Sequence, residues 1–195
     1  MEEKLDQLEA ALLSENAKVN LVSRKDTDAL RTHHLLPCLA LKEFYSIPDN
    51  ARVLDLGCGG GLPGLVLAQA FPKAQFTLLD SVGKKIKAVD NIASVLGLIN
   101  VNTINARAEN LNKEYDIVVG RAVTALPAFI NWAKPLLAKS SSIKGAGIYY
   151  WKGGEIESDT QIYEPELHFL SDLLGDKEYY REKYILHIPT HKLKT

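Results

Sequence analysis

The 195-residue chain has little of several things, and each scarcity removes a class of explanation. Only two cysteines occur, Cys38 and Cys58, in no Cys-x-x-Cys pair and no Cys/His cluster, so neither a disulfide framework nor a structural zinc site is expected, and no other metal. No apolar run approaches the roughly 18 residues that a membrane-spanning helix needs; the stretch 35–41 reaches seven. Formal net charge is only -1, which leaves local basic patches but no pervasive basic surface for indiscriminate nucleic-acid binding. The opening Met-Glu-Glu-Lys-Leu-Asp lacks the basic and apolar regions of a signal peptide, so a cytoplasmic protein without a membrane partner is expected, working as a monomer.

What is present is ordinary for one globular unit, with 46% hydrophobic and 24% charged residues, enough to build a sizeable core. The charge is unevenly spread: residues 153–180 hold eight acids against one base, Lys177. Leu5, Leu8 and Leu12 recur at helical spacing, which predicts an amphipathic helix over 2–17. Asp26 or Thr27 is placed to cap a second helix, which Pro37 should disturb. From there the pattern alternates. Strands are expected at 52–56, 75–80, 101–105, 115–120 and 146–151, with helices at 62–71, 84–98 and 125–138, the last interrupted by Pro135. Alternating strands and helices with short connections predict a doubly wound α/β fold whose mostly parallel sheet is covered on both faces. The tail reads as an acidic helical segment, 155–174, and a closing strand, 183–189. The expected organisation is an N-terminal helical extension, 1–45, on a Rossmann-like core, 46–195, the two forming one compact unit.

The first predicted strand runs into Val-Leu-Asp-Leu-Gly-Cys-Gly-Gly-Gly-Leu-Pro-Gly, 53–64. A Walker phosphate loop would need Lys after its last glycine, where this chain has Leu65. A dinucleotide fingerprint fits better: Gly59, Gly61 and Gly64 satisfy Gly-x-Gly-x-x-Gly, and Asp80 follows Gly59 by 21 residues. Asp55 separates the candidates. A carboxylate just before the turn repels a pyrophosphate and attracts a cationic ligand. S-adenosylmethionine is such a ligand, with a sulfonium, an ammonium, a ribose and an adenine but no phosphate. Asp55, Gly57, Gly59 and Gly61 then form its loop, and Asp80 offers two oxygens to the ribose hydroxyls. The plainer alternative is a tight turn in which Asp55 caps backbone amides; the four spaced glycines and the acid at each of two successive strand ends weigh against it.

Asp-Leu-Gly-Cys-Gly-Gly-Gly-Leu-Pro-Gly, then Phe-Thr-Leu-Leu-Asp-Ser-Val-Gly-Lys-Lys-Ile, Ala-Arg-Ala-Glu-Asn-Leu, Val-Val-Gly-Arg-Ala-Val and Trp-Lys-Gly follow in an order and spacing that resembles the glucose-inhibited division protein B family. The likeness covers roughly residues 16–153, and the final 40 residues match only in outline. It implies a class I S-adenosylmethionine-dependent methyltransferase that modifies N7 of the 527-position guanosine, in the loop of 16S ribosomal RNA numbered around 530. Its cofactor contacts would fall on Gly57, Leu62, Asp80, Ala108, Glu109 and Arg121. The chain departs from the family near its start: His34 matches, but His33 stands where the family has arginine, and Pro37-Cys38 where it has Asp-Ser. Arg121 interrupts an apolar strand, where a guanidinium without a partner would be costly to bury. A ligand carboxylate, the RNA backbone or a structural salt bridge would each serve it.

Nothing after the fourth strand matches the [Asp/Asn]-Pro-Pro-aromatic motif of enzymes that methylate exocyclic amines, and neither cysteine is placed for attack on a pyrimidine. Guanine N7 needs no such help, because its lone pair is already available. Catalysis then reduces to alignment, with no obligatory general base. No side chain is assigned as catalytic, and Arg121 has at most a positioning role. RNA contacts are expected at Lys84, Lys85, Lys87 and Lys152, extended by Arg24, Lys25, Arg31 and His34, with the acidic 153–180 segment facing elsewhere. The partner is 16S rRNA, the small ribosomal subunit or an assembly intermediate. A methyltransferase for a small molecule or protein, and a non-catalytic cofactor-binding module on the ribosome, are the competing readings.

Overall fold

Leu5, Leu8 and Leu12 are all buried on one face of the first helix, α1 (Glu2–Asn16), where they join the same apolar cluster as Val53, Phe76 and Val89. The computed structural model describes residues 1–155, 158–175 and 177–193, without the side chains of Arg24, Ser158 and Asp159. Two of the acids counted in the tail, Glu157 and Asp176, thus lie outside the described residues, and so does the Asp159 side chain.

Beyond α1, the side chain of Asn16 accepts the amides of Leu21 and Val22 at 2.8 and 3.0 Å and turns the chain back. A 3-10 turn (Arg24–Ala29) follows, then a π-helical turn (Arg31–Leu35), α2 (Leu36–Leu39) and a further 3-10 turn (Ala40–Glu43). Two expectations are corrected here. The cap is Ser23, whose hydroxyl accepts the Lys25 amide, not Asp26 or Thr27. Pro37 does not end the segment, because it sits in the first turn of α2, where a missing N–H costs little. The irregularity frees carbonyls. In the π-helical turn the Leu36 amide reaches Arg31, so Thr32 loses its usual i+4 donor, and Pro37 has no N–H to offer the His33 carbonyl. Donors for both come from distant parts of the chain.

The core runs β1 (Arg52–Leu56), α3 (Gly64–Ala70), β2 (Gln75–Asp80), α4 (Gly83–Val95), β3 (Val101–Asn105), β4 (Ile117–Arg121), α5 (Leu126–Ala133), β5 (Gly147–Gly153), β6 (Glu166–Phe169), α6 (Leu170–Leu174) and β7 (Lys183–Pro189). The strands form one sheet in the order β3-β2-β1-β4-β5-β7-β6, with β1 to β5 parallel and β7 antiparallel to both neighbours. Val53 and Val119 belong to one buried cluster, Leu54 and Val118 to another, so the central strands are covered on both faces. This is why their sequences are continuous apolar runs.

Within the tail, β6 is an edge strand in a stretch that the sequence pattern reads as helical. Glu-Leu-His-Phe is only four residues long, too short for either period to show. Nor does the acidic segment stand apart, since it also supplies α6 and, through Tyr180, a donor to the N-terminal extension. β1 and β4 are neighbours, and the chain leaves them in opposite directions across the sheet. That divergence opens a crevice at their carboxyl ends, the place where such folds bind ligands.

Candidate functional site

The glycine loop is held by carboxylates from inside. Gly57 and Cys58 both donate their amides to the Leu79 carbonyl, tying the loop to β2. At Gly57, φ is +74°, and a Cβ would lie 2.7 Å from Val123, so only glycine fits on both counts. Asp80, at the end of β2, accepts the Gly59 amide at 2.9 Å with one oxygen and the Val82 amide at 2.8 Å with the other. Asp55 is wholly buried and accepts the amide of Gly64, the first residue of α3, at 2.7 Å. A Cβ on Gly64 would come within 2.6 Å of that same oxygen.

Asp55 therefore sits beneath the loop and is absent from the walls of the cleft, contrary to the expectation that it faces a cationic ligand. Burial, opposed by the Gly64 hydrogen bond and reinforced by the nearby Asp80, pushes its pKa up to about 7. Its second oxygen is buried without a partner. Gly61, also expected at the cofactor, likewise stays off the walls. The two acids occupy amides that a phosphate-binding loop presents to its ligand. Gly59 is taken by Asp80, and the amide end of α3 by Asp55.

Above the loop lies a cleft of about 550 Å³ at the carboxyl ends of β1, β2 and β4. Gly57, Gly59, Leu62, Asp80, Ala108, Glu109 and Arg121, all expected at the cofactor, line it together. So do Lys85 and His34, expected at the RNA. Sequence reasoning missed Leu21, Val22, Ser23 and Asp26, which the N-terminal extension folds over the loop, and Trp132, an exposed aromatic on α5. Nothing in the sequence marked them, because the exposure of Trp132 beside Asn131 on α5 shows only once the helix has packed.

Among the described residues, no carboxylate pairs with Arg121. One terminal nitrogen donates to the His34 carbonyl at 2.9 Å and to Cys38 Sγ at 3.3 Å, the other to the His33 carbonyl and His34 Nδ1, each at 2.9 Å. The guanidinium thus collects the carbonyl that Pro37 leaves without a donor and fastens the extension to the end of β4. Since a guanidinium cannot accept, His34 Nδ1 must, which places the ring proton on Nε2, 3.6 Å from Asp26. Burial and then the Arg121 charge lower the His34 pKa to about 4, so the ring is neutral at physiological pH. Tyr180 serves the Thr32 carbonyl at 2.8 Å, and Trp151 Nε1 the Pro37 carbonyl at 2.6 Å.

The remaining RNA candidates differ in how they are held. Arg31 is taken by α1: Nε and Nη1 pair with Glu9 and Glu2 at 3.0 and 2.9 Å, and Nη2 pairs with Asp6. These acids are one helical face, at i, i+4 and i+7, which is why one guanidinium reaches all three. Arg31 is thereby withdrawn from the expected RNA surface. Lys84 and Lys87 are exposed on α4, Lys25 is exposed beside the cleft's rim, and Lys152 lines a neighbouring cleft. The Arg24 side chain lies outside the described set. Among the described residues, no group of three His, Cys, Asp or Glu could hold a metal, and no helix is long and apolar enough to cross a membrane.

Comparison with known proteins agrees with this geometry. The family model described as rRNA small subunit methyltransferase G matches residues 1–167. The ribosomal RNA small subunit methyltransferase G of Christiangramia forsetii is 39% identical over 188 residues, 95% of this chain and 89% of that protein. Its counterpart in Porphyromonas gingivalis is 33% identical, covering 96% and 86%. Among solved structures, the magnesium protoporphyrin IX methyltransferase of Synechocystis PCC 6803 superposes with a TM-score of 0.58 at 16% identity, over 85% of this chain and 83% of that one. That likeness concerns the fold.

Proposed function

The chain belongs to the rRNA small subunit methyltransferase G family, and from that premise we propose that it methylates N7 of a guanosine in the 530 loop of 16S rRNA, the 527-position guanosine that the sequence resemblance implies. It is an S-adenosylmethionine-dependent methyltransferase with a class I, Rossmann-like fold, and its substrate is small-subunit ribosomal RNA. The observation that carries the cofactor assignment is the pair of carboxylates on the loop amides. With Gly59 and Gly64 already bonded to Asp80 and Asp55, a pyrophosphate would find acids where it needs N–H donors. The donor set fits a phosphate-free cofactor instead.

In this reading Asp80 accepts the ribose hydroxyls with lone pairs left over from its two amide bonds, and the Ala108–Glu109 turn packs on the adenine with Trp132 nearby. When bound, the cofactor supplies an electrophilic methyl group on a sulfonium. The protein's own task is to align the base and exclude water, with no side chain abstracting a proton. Neutral His34, with its Nδ1 bonded to Arg121, suits a positioning role better than an acid–base one. The small subunit or an assembly intermediate is the better substrate than naked RNA, because a net charge of -1 with a few lysines about the cleft makes a weak footprint on its own. The protein acts as a monomer in the cytoplasm.

Mapping N7-methylguanosine in 16S rRNA from cells with and without the gene tests the assignment. Loss of one modified guanosine in the 530 loop on deletion, restored by the purified protein and S-adenosylmethionine, is the expected result. Unchanged methylation in the deletion strain would refute it and leave the cofactor-binding module as the reading.

A further inference from the structure

Methyl transfer to a base needs a second place beside the cofactor cleft, and the inference drawn here rests on the functional reading above. A neighbouring cleft of about 320 Å³ shares Arg121 and Ala122 with the first, so the two meet across the end of β4. The backbone turns sharply between them, because Ala122 has φ +53°, a left-handed conformation that alanine rarely adopts. At the lower end of the usual range for small-ligand pockets, the space suits one base and not a dinucleotide.

Its walls come from four parts of the chain: the extension, the end of β4, β5 and the C-terminal tail. His33, of the extension, stacks on Tyr179 with ring centroids 3.7 Å apart and planes 6° from parallel. Tyr150 is fixed by its hydroxyl to the Thr124 carbonyl at 2.7 Å, and Trp151 by its indole to Pro37. The antiparallel register of β5 and β7 pairs Gly153 with Lys183 and so brings Lys152 and Lys183 to the same end of the sheet. Lys183 Nζ lies 3.5 Å from the centroid of the Tyr179 ring and also donates to the Tyr179 carbonyl. Arg121, Lys152 and Lys183 give the cleft three cations, and none of the described residues that line it is Asp or Glu.

Those cations discriminate between bases. The Hoogsteen edge of guanine presents two acceptors, N7 and O6, whereas adenine presents N7 beside an amine donor and cytosine an amine donor. An ammonium facing O6 gains a charge-assisted hydrogen bond; facing an amine it leaves both donors without partners. We propose that the second cleft receives the target base, turned out of its stack, and selects guanine through a hydrogen bond from Lys183 to O6 while N7 faces the wall shared with the cofactor. The aromatic walls hold the ring by stacking, as proteins commonly hold unstacked RNA bases. His33, where the family has arginine, then serves the site through its stack on Tyr179.

The test measures transfer of radiolabelled methyl from S-adenosylmethionine to small subunits lacking the modification. Lys183→Gln should lower kcat/KM at least about tenfold while the S-adenosylmethionine dissociation constant stays within about twofold, and Lys183→Arg, which still donates, should recover to within about threefold. Thr124→Trp, which fills the cleft without touching its charge, should lower transfer as strongly. Particles reconstituted with inosine at the target, which keeps O6, should be methylated nearly as well as guanosine; 2-aminopurine, which keeps N7 but lacks O6, should fall at least about tenfold, and this gap should shrink in Lys183→Gln. Equal rates on the two analogues, or an unaffected Lys183→Gln, would overturn the proposal. So would a Lys183→Gln defect that is the same for both analogues and lies in particle affinity alone, since the cleft would then hold a phosphate. A wild-type protein that binds S-adenosylmethionine but transfers nothing to any particle refutes the functional reading itself.

Discussion

The glycine loop and the junction around Arg121 lie on the same cleft, yet they are built in opposite ways. The loop is one continuous stretch whose amides are satisfied by acids on the two adjacent strands, Asp55 and Asp80. The junction joins the extension, β4 and the C-terminal tail through carbonyls left open by a π-helical turn and a proline, each filled by a side chain from far along the chain. The first buries a negative group and the second a positive one. Their titrations should oppose each other: Asp55 is raised to about 7 by burial, His34 lowered to about 4 by burial and Arg121.

Breaking the junction should have the largest effect. Arg121→Met leaves the His33 and His34 carbonyls without their charged donor and should destabilise the protein by about 5 kcal/mol, measured by urea unfolding. If the two regions are separable, amides of the extension exchange faster while those of the glycine loop keep their protection; faster exchange in both would show that they are one structure.

The pH dependence sharpens the contrast next. Because the folded Asp55 holds its proton up to about pH 7, its ionisation costs stability progressively from about pH 4 upward, in full above 7, on the order of 4 kcal/mol. His34 has the opposite sign. Its folded form resists protonation, so its cost appears as pH falls below about 6.5 and is complete below about 4, on the order of 3 kcal/mol. In the wild type the two slopes largely cancel. Asp55→Asn should unmask stability that rises with pH over this window, and His34→Gln stability that falls, both read from thermal melts. Parallel slopes in the two variants would remove the contrast. Asp55→Asn should also retain S-adenosylmethionine affinity within a few-fold, since an amide oxygen still accepts from Gly64; a large loss would restore Asp55 as an attractor of the cationic ligand.

Asp80→Ala removes an acceptor for the Gly59 and Val82 amides as well as for the ribose. It should weaken S-adenosylmethionine binding about 30-fold, roughly 2 kcal/mol, in a calorimetric titration. The smallest effect is expected at Arg31→Gln, two of whose three carboxylate partners, Glu2 and Asp6, are exposed. A loss under about 1 kcal/mol that vanishes in high salt, with rRNA methylation unchanged, fits its place on α1, and a methylation defect would return it to the RNA surface.

The two regions were also unequally legible. For the loop, Asp55, the spaced glycines and Asp80 lie close to two strand ends, and their spacing alone indicates a ligand turn for a phosphate-free cofactor. Asp55 does disfavour a phosphate, but from beneath the loop, by occupying the helix amide and not by facing the ligand. For the junction, the residue types were visible but their partners were not. Arg121 lines the cleft as expected, but its carbonyl partners in the extension and the acids that hold Arg31 could not be read off, because charge in a sequence carries no information about which distant carbonyl or carboxylate will neutralise it. Pro37 read as a helix breaker, since local propensity cannot show that the freed carbonyl will meet Arg121.

The sequence by itself determined the alternating strands and helices, the parallel core, the cofactor turn and the family, because those rest on periodicity and on contacts between residues near one another in the chain. Tertiary structure alone decided that His33, Trp151, Tyr179 and Lys183 meet beside the cofactor cleft, and that Asp55 points inward. The register of β5 on β7 and the docking of the extension place those groups together, and both are fixed by burial summed over the whole sheet, which no local stretch of sequence records.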